Sequence, residues 1–165
     1  MQKVNRLQCR WQNALFFLIA LLIVAIDQFT KIWIRASIPF GQSRFEIGFF
    51  RLSHIHNSGA AFGLFQGQLF PLIAVASVGI AVLIVYALFI YRHFPLLDNK
   101  LSKSALGLIL GGTVGNLIDR LRFEYVTDFI DFNLWPAFNI ADSAVTIGVI
   151  LFAYSLLSIA RTKTQ

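Results

Sequence analysis

The chain has 165 residues, of which 57% are hydrophobic, 15% aromatic and only 13% charged. A soluble domain of this length could not bury so much apolar surface, so the composition excludes such a domain and predicts a membrane protein. The net charge of +6 does not indicate nucleic-acid binding, because the Lys and Arg side chains are not gathered on one stripe with interleaved aromatics. The one cysteine, Cys9, excludes an internal disulfide framework and a cysteine-rich metal site.

Four apolar stretches are long enough to cross a bilayer, and they predict helices at about 14–34, 69–91, 101–120 and 140–160. The first follows basic residues, as the core of a signal peptide would. However, residues 27–31 follow it in place of a small-residue cleavage site, so we expect it to remain as a helix. The third stretch carries Gly107, Gly111 and Gly115 at four-residue spacing, which predicts close approach of a second helix.

The positions of Lys and Arg indicate how these helices are oriented, because cytoplasmic loops carry an excess of both. If both termini are cytoplasmic, that side has one acid, Asp98, and the basic residues Lys3, Arg6, Arg10, Arg92, Lys100, Lys103, Arg161 and Lys163. The other side then has the remaining acids and the basic residues Lys31, Arg35, Arg44, Arg51, Arg120 and Arg122. We therefore expect cytoplasmic termini and an acidic, extracytoplasmic site.

The segment at about 37–68, between the first two helices, is too long for a plain connector. In residues 49–56, the odd-numbered positions (Phe, Arg, Ser, Ile) alternate with the even-numbered ones (Phe, Leu, His, His), as side chains do on the two faces of a strand. Pro39, Gly41 and Gly48 interrupt the segment, so we predict short strands. Residues 59–70, rich in Phe and Gln, suit a piece that lies in the membrane interface. The predicted fold is therefore an all-α integral membrane protein, one domain over residues 1–165, with four transmembrane helices, a small extracytoplasmic β-cradle that serves as a lid, and an interfacial helix.

Aspartates stand at the ends of three apolar stretches, as Asp27, Asp119 and Asp142. An ionisable side chain costs about 2.5 to 3.5 kcal/mol at the centre of a membrane helix, so it is retained where it pairs, faces a cavity or functions. In the third stretch, Asn116, Asp119 and Arg120 share one helical face. These groups predict a functional site at one rim of the bundle.

Further acids lie between the third and fourth stretches. Asp128 and Asp131 belong to an extended-looking loop, and Asn139 and Asp142 share a face at the outer end of the fourth helix, where the helix dipole favours a carboxylate. Two carboxylates that share a proton can hydrolyse a peptide bond. The ionised one takes a proton from water, while the protonated one donates to the carbonyl oxygen.

Other hydrolytic sites fit the sequence poorly. It contains neither a Gly-x-Ser-x-Gly nor a His-Glu-x-x-His pattern. His54 and His56 lie two residues apart on one predicted strand face, but a metal ion would need a third ligand there, so we expect no metal site.

Five blocks, in order across nearly the whole chain, resemble the motifs of the lipoprotein signal peptidase family, also called signal peptidase II. Any one block is a weak signal, but five in the right order across four apolar stretches make the resemblance specific. The blocks are Asp27-Gln28-Phe29-Thr30-Lys31, Asn57-Ser58-Gly59-Ala60-Ala61-Phe62, Gly111-Gly112 with Gly115-Asn116 and Asp119-Arg120, Val126-Thr127-Asp128-Phe129, and Phe138-Asn139-Ile140-Ala141-Asp142-Ser143.

The resemblance implies a multi-pass aspartyl endopeptidase of the bacterial cytoplasmic (inner) membrane. Such an enzyme removes the signal peptide from a prolipoprotein, and it cuts just before a cysteine that carries diacylglycerol. Asp128 and Asp142 would be the catalytic pair, with no metal and no organic cofactor. The residues that the resemblance assigns to substrate binding and support are Asp27, Lys31, Asn57, Gly59, Asn116, Asp119, Arg120, Asn139 and Ala141.

The resemblance also implies the partners of the chain. The substrate would be a lipid-modified prolipoprotein, membrane lipid would surround the enzyme, and the cyclic peptide globomycin would be an inhibitor. We expect a monomer and no nucleic-acid partner.

Plainer interpretations of the same residues remain open. Asp142 could be only a capping residue of the fourth helix. Asp27 with Lys31, or Asp119 with Arg122, could be a simple ion pair within one helix. A small transporter or proton channel would also keep acids in its helices, and a non-enzymatic assembly protein or chaperone is a further alternative.

Overall fold

The structure is a computed structural model, and it describes residues 6–59, 65–90 and 99–163. In this part of the chain four helices are long and apolar enough to cross a membrane, at Asn13–Ser37, Leu69–Phe89, Lys100–Phe123 and Ile140–Arg161. The predicted fold of four transmembrane helices with a small sheet is confirmed.

The elements follow each other as helix, hairpin, two helices, strand and helix. The bounds are α1, Arg6–Ser37; β1, Ser43–Ile47; β2, Phe50–Asn57; α2, Leu69–Val85; α3, Lys100–Phe123; β3, Val126–Asp131; and α4, Ile140–Lys163. α2 continues into a short π-helical segment at Tyr86–Ile90. α1 begins before its predicted start at residue 14, because the polar residues that precede the apolar stretch continue the same helix.

Glycines of α3 allow the backbone of α1 to approach closely. A Cβ atom at Gly107 would lie 2.8 Å from the carbonyl oxygen of Phe16, and one at Gly111 would lie 2.7 Å from that of Ala20. Any side chain at these positions would force the helices apart, so the predicted small-residue contact is confirmed. α3 also packs along α4, which makes it the central helix of the bundle.

The strands form one antiparallel sheet in the order β1-β2-β3. Strands were predicted between the first two helices, and β1 and β2 lie there. The prediction of a loop around Asp128 was wrong, because those residues form β3 and pair with β2. In this register Ile55 lies opposite Asp128, and Asn57 lies opposite Val126. The buried side chains of Ile34 and Ile38 in and after α1 pack against Phe129 and join the sheet to the bundle.

Within the predicted interfacial helix at 59–70, residues 60–64 lie outside the described part of the chain. Residues 65–67 form a turn, and α2 begins directly afterwards at Leu69.

Candidate active site

Asp128 lies in the middle of β3 and is only 2% exposed. Each of its carboxylate oxygens accepts one hydrogen bond from a side-chain amide. Asn139 Nδ2 donates to Oδ1 at 2.7 Å, and Asn57 Nδ2 donates to Oδ2 at 2.9 Å. Asn57 ends β2, so the pairing of the two strands brings its amide to the acid.

Asp142 lies in the first turn of α4, where it forms a reciprocal cap with Asn139. The backbone N–H of Asp142 donates to Asn139 Oδ1 at 2.9 Å, and the backbone N–H of Asn139 donates to Asp142 Oδ2 at 3.2 Å. The capping interpretation of Asp142 therefore describes a real contact. It does not exclude a second role, because Asp142 Oδ1 also accepts a hydrogen bond of 2.7 Å from Asn116 Nδ2 on α3.

Three asparagine amides are turned toward the two acids by groups that can only donate. Lys31 Nζ donates to Asn116 Oδ1 at 2.9 Å, which leaves Asn116 Nδ2 facing Asp142. The backbone N–H of Gly59 donates to Asn57 Oδ1 at 2.9 Å and has the same effect on the amide of Asn57.

The third amide, that of Asn139, is fixed by the backbone N–H of Asp142, so its nitrogen faces Asp128. As a result, all four oxygens of the two acids receive one N–H donor each. This arrangement favours a negative charge on the pair and leaves room on each oxygen for a shared proton or a water molecule.

Asp128 and Asp142 both line one cavity of about 1000 Å³. The sheet, the loop before α4 and three helices contribute to its wall. Polar groups collect near the acids, while the remainder of the lining is apolar. The lining includes His56, Asn57, Leu72, Val75, Ala76, Thr113, Asn116, Arg120, Trp135, Phe138, Val145 and Ile147.

The environment of Asp128 favours its protonated form. Burial, and after it the negative charge of Asp142, raise the pKa of Asp128 from 3.8 to about 7, although the hydrogen bonds from Asn57 and Asn139 act in the opposite direction. Asp128 can therefore hold a proton close to neutral pH, as one member of an acid–base pair must.

A buried ionic network from α1 supports this cluster. Lys31 Nζ lies 2.9 Å from Asp27 Oδ2 and 3.5 Å from Asp119 Oδ2, and all three side chains are 0% exposed. Asp27 Oδ1 accepts the backbone N–H of Ala141 at 3.0 Å and so holds the start of α4 against α1. The predicted pair of Asp27 and Lys31 is confirmed, and it belongs to a larger network.

The alternative pairing of Asp119 with Arg122 was wrong. In the described residues, Asp119 pairs with Lys31 and with Arg35 Nη1, the latter at 3.4 Å, because both cations project from α1 toward α3. Arg122 instead lies over the ring of Phe123, with 5.3 Å between its guanidinium carbon and the ring centroid.

Arg120 and Gly59 meet at the edge of the cavity. Arg120 Nη2 donates to the carbonyl oxygen of Gly59 at 3.0 Å, which ties α3 to the segment that follows β2. Arg120 also lines the cavity that contains the two acids. The structure thus brings every predicted site residue to one region, some of them around the acids and others in the supporting network.

The two histidines of β2 contact each other. His54 Nε2 and His56 Nε2 are 3.2 Å apart, and His54 Nδ1 donates to the carbonyl oxygen of Ile38 at 2.8 Å. Burial, together with the positive charges of His54 and Arg35, lowers the pKa of His56. Within residues 6–59, 65–90 and 99–163, no three His, Cys, Asp or Glu side chains group as metal ligands.

Arg35 was missed as a member of the site. Its Nη1 donates to Thr127 Oγ1 at 2.8 Å, next to Asp128 in β3, and it pairs with Asp119. The signal was present in the sequence, since Arg35 follows Lys31 and Asp27 at four-residue spacing and therefore shares their helical face.

The fold and the cluster define a multi-pass membrane protein in which two carboxylates line a cavity and accept hydrogen bonds from amide N–H groups. The profile of the family described as Signal peptidase (SPase) II matches residues 19–158. Two lipoprotein signal peptidases are similar to the chain. The one from Dehalococcoides mccartyi is 48% identical over 84% of this chain and 86% of its own, and the one from Moorella thermoacetica is 47% identical over 86% and 92%.

Two solved bacterial membrane enzymes have a similar fold. One, determined by the in meso method at 2.3 Å resolution, superposes with a TM-score of 0.81 at 33% identity and covers 90% of each chain. The other, at 1.9 Å, gives a TM-score of 0.74 at 34% identity over 86% of this chain and 92% of its own. The chain therefore belongs to the signal peptidase II family, which is a family of proteases.

Proposed function

We propose that the protein is an intramembrane aspartyl endopeptidase that removes signal peptides from diacylglyceryl-modified bacterial prolipoproteins and cuts just before the lipidated cysteine. Membership of the family supports the protease activity and the prolipoprotein substrate. The observation that carries the aspartyl mechanism is the pair of acids, Asp128 and Asp142, on one cavity wall, with an N–H donor on each of their four oxygens.

In the proposed mechanism, Asp142 is the base and Asp128 is the acid. The N-terminal end of α4 stabilises the ionised carboxylate of Asp142, and the raised pKa of Asp128 keeps its proton available. Asp142 takes a proton from water as the water oxygen bonds to the scissile carbonyl carbon, and Asp128 gives its proton to the carbonyl oxygen. The tetrahedral intermediate is then neutral.

Collapse of this intermediate restores the pair. Asp142 passes the proton that it received to the amide nitrogen, the carbon–nitrogen bond breaks, and Asp128 takes a proton back from a hydroxyl of the intermediate. The products are a free carboxyl group on the signal peptide and a free amino group on the lipidated cysteine. No metal ion or organic cofactor takes part in the proposed cycle.

The shape of the cavity supports lateral entry of the substrate from the membrane. Leu72, Val75 and Ala76 of α2 and Val145 and Ile147 of α4 give the cavity an apolar lining. A signal helix can lie against these side chains while the acyl chains of the lipidated cysteine stay in the bilayer, and Asn57, Asn116, Asn139 and Arg120 would hold its backbone. Globomycin, as the family inhibitor, would occupy the same cavity.

The distribution of Lys and Arg supports the proposed location. The protein would lie in the bacterial cytoplasmic membrane with both termini cytoplasmic, so that the sheet and the two acids face the extracytoplasmic side. We propose that it acts as a single 1–165 domain and as a monomer, with the β-cradle acting as a lid that excludes bulk water.

The test is cleavage of a diacylglyceryl-modified prolipoprotein by the purified protein in lipid. We expect Asp128→Asn and Asp142→Asn each to lower kcat by about 10⁴-fold or more, because each removes one member of the acid–base pair. Asp131→Asn is the matched control, since Asp131 lies in the same strand but pairs with Arg51 at 2.7 Å. The control should retain cleavage.

Cleavage by both dyad variants at near wild-type rates would refute the aspartyl mechanism. Absence of cleavage by the wild-type protein would refute the proposed substrate. Thermal unfolding of all four proteins in the same detergent distinguishes loss of chemistry from loss of fold.

A further inference from the structure

Asn116 differs from the other two asparagines in how its amide is oriented. Asn57 and Asn139 are turned by backbone N–H groups, which almost any residue at those positions would supply. The Asn116 oxygen accepts from two side chains, Lys31 Nζ at 2.9 Å and Asn139 Nδ2 at 3.2 Å. The Asn139 nitrogen is shared with Asp128 Oδ1 at 2.7 Å, so Lys31, 85 positions away in the sequence on α1, is the closer of the two donors.

Lys31 is more than a counter-ion to the acids around it. An ammonium group has three N–H donors, and the Lys31 ammonium has three oxygen neighbours: Asp27 Oδ2 and Asn116 Oδ1, each at 2.9 Å, and Asp119 Oδ2 at 3.5 Å. A buried salt bridge to Asp27 alone would not require Asn116. The Lys31 side chain is 0% exposed.

The direction of the Asn116 amide decides what Asp142 receives. With its oxygen facing Lys31, the amide presents its nitrogen to Asp142 Oδ1 at 2.7 Å and donates to it. In the reversed orientation an amide oxygen would face the carboxylate, and an amide nitrogen would face an ammonium group. Both contacts would be repulsive, so the ammonium, together with the Asn139 amide nitrogen, favours the observed orientation.

Building on the proposed function, we propose that Lys31 is a positioning residue of the reaction, which acts through Asn116 to keep a hydrogen-bond donor on Asp142 and so holds Asp142 as the ionised base. Lys31 itself does not touch the substrate or the reacting atoms. Its effect travels along the chain of contacts from Lys31 through Asn116 to Asp142.

The first arm of the test removes the Asn116 amide nitrogen, which donates to Asp142, and keeps an oxygen that can accept from Lys31. Asn116→Asp is nearly isosteric and still offers an oxygen to Lys31, but it places a carboxylate oxygen against Asp142. We expect the variant to fold, because it gains a charge pair with Lys31, and to lose kcat by about a hundredfold or more. Cleavage within about threefold of wild type would overturn the proposal.

The second arm is a double-mutant cycle between Lys31 and Asn116. Lys31→Met alone would leave Asp27 buried without its cation, so it is combined with Asp27→Asn, which keeps an oxygen for the backbone N–H of Ala141. We expect this charge-balanced pair to lower kcat by about tenfold or more with little change in KM. In an Asn116→Ala background the same pair should change kcat by less than about threefold.

The matched control removes an ion pair outside this network, by Arg51→Met with Asp131→Asn. Arg51 donates to Asp131, and neither side chain bonds to Lys31 or Asn116 in the described residues, so the effect of this pair should be multiplicative with that of Asn116→Ala. A multiplicative effect of the Lys31 pair as well would show that Lys31 acts only as structural support and would overturn the proposal. Wild-type cleavage, measured alongside, tests the proposed function separately.

Discussion

α2 and α3 are neighbours in the bundle, yet they have opposite characters. Over the described residues Leu69–Val85, α2 has no buried residue, whereas half of the most apolar part of α3 is buried. α3 is packed on α1 and α4, and it carries Asn116, Asp119 and Arg120. α2 therefore faces lipid and lines the cavity with apolar side chains, while α3 contributes polar side chains to the same cavity. Hydrophobicity alone does not report which helix matters for chemistry.

The largest expected difference between the two helices concerns their glycines. A Cβ at Gly111 of α3 would lie 2.7 Å from a backbone oxygen of α1, whereas a Cβ at Gly79 of α2 has nothing within 4 Å. Gly111→Leu should destabilise the fold by more than about 3 kcal/mol, because the backbones must separate. Gly79→Leu should fold normally. Size-exclusion profiles and thermal unfolding in detergent measure both, and equal stability of the two variants would contradict the contrast.

The second prediction concerns the faces of α2. Ala76 lines the cavity, while Val78 is 64% exposed and does not line it. Ala76→Trp should lower kcat/KM by about tenfold or more by filling the substrate path, and Val78→Trp should leave cleavage unchanged because its side chain lies in lipid. Similar losses in both variants would argue against entry beside α2.

The third prediction concerns the titration of Asp128 in β3. α2 has no titratable side chain over Leu69–Val85. Because the pKa of Asp128 is raised to about 7, its proton is present below that pH and lost above it. The alkaline limb of kcat/KM should therefore fall by about tenfold per pH unit above 7. This fall is measured by determining kcat/KM over pH 5 to 9, together with the stability of the protein at each pH. A flat profile up to pH 9 would contradict the assignment of Asp128 as the acid.

The smallest expected effect concerns the helix starts. Asn99 caps α3, and its side chain accepts the backbone N–H of Ser102 at 2.8 Å, whereas Gln68 before α2 makes no side-chain cap. Asn99→Ala should lower the free energy of unfolding by about 1 kcal/mol, and Gln68→Ala by a few tenths at most. Chemical denaturation in mixed micelles checks both values, and a larger loss for Gln68→Ala would reverse the comparison.

The apolar sequence of α2 made it predictable, and the residues predicted on the polar face of α3 lie in or beside the candidate site, with Asn116 bonded to Asp142. β3 was not predicted, because its six residues acquire strand structure by pairing with β2, about seventy positions earlier. The orientations of the asparagine amides could not be predicted from the sequence either, because they are set by contacts with partners such as Lys31 and the backbone N–H of Gly59. Residue types and local spacing are visible in a sequence, but the direction of a side-chain amide depends on distant donors.

The hydrogen bond from the Ala141 backbone to Asp27 joins residues 114 positions apart. During synthesis, Asp27 has been made and inserted long before its partner leaves the ribosome. A nascent chain that ends after β3 contains Asp128 but neither Asp142 nor the Ala141 backbone group that Asp27 holds. Under the proposed aspartyl mechanism such a chain lacks one member of the acid pair, so we expect it to be inactive until α4 enters the bilayer.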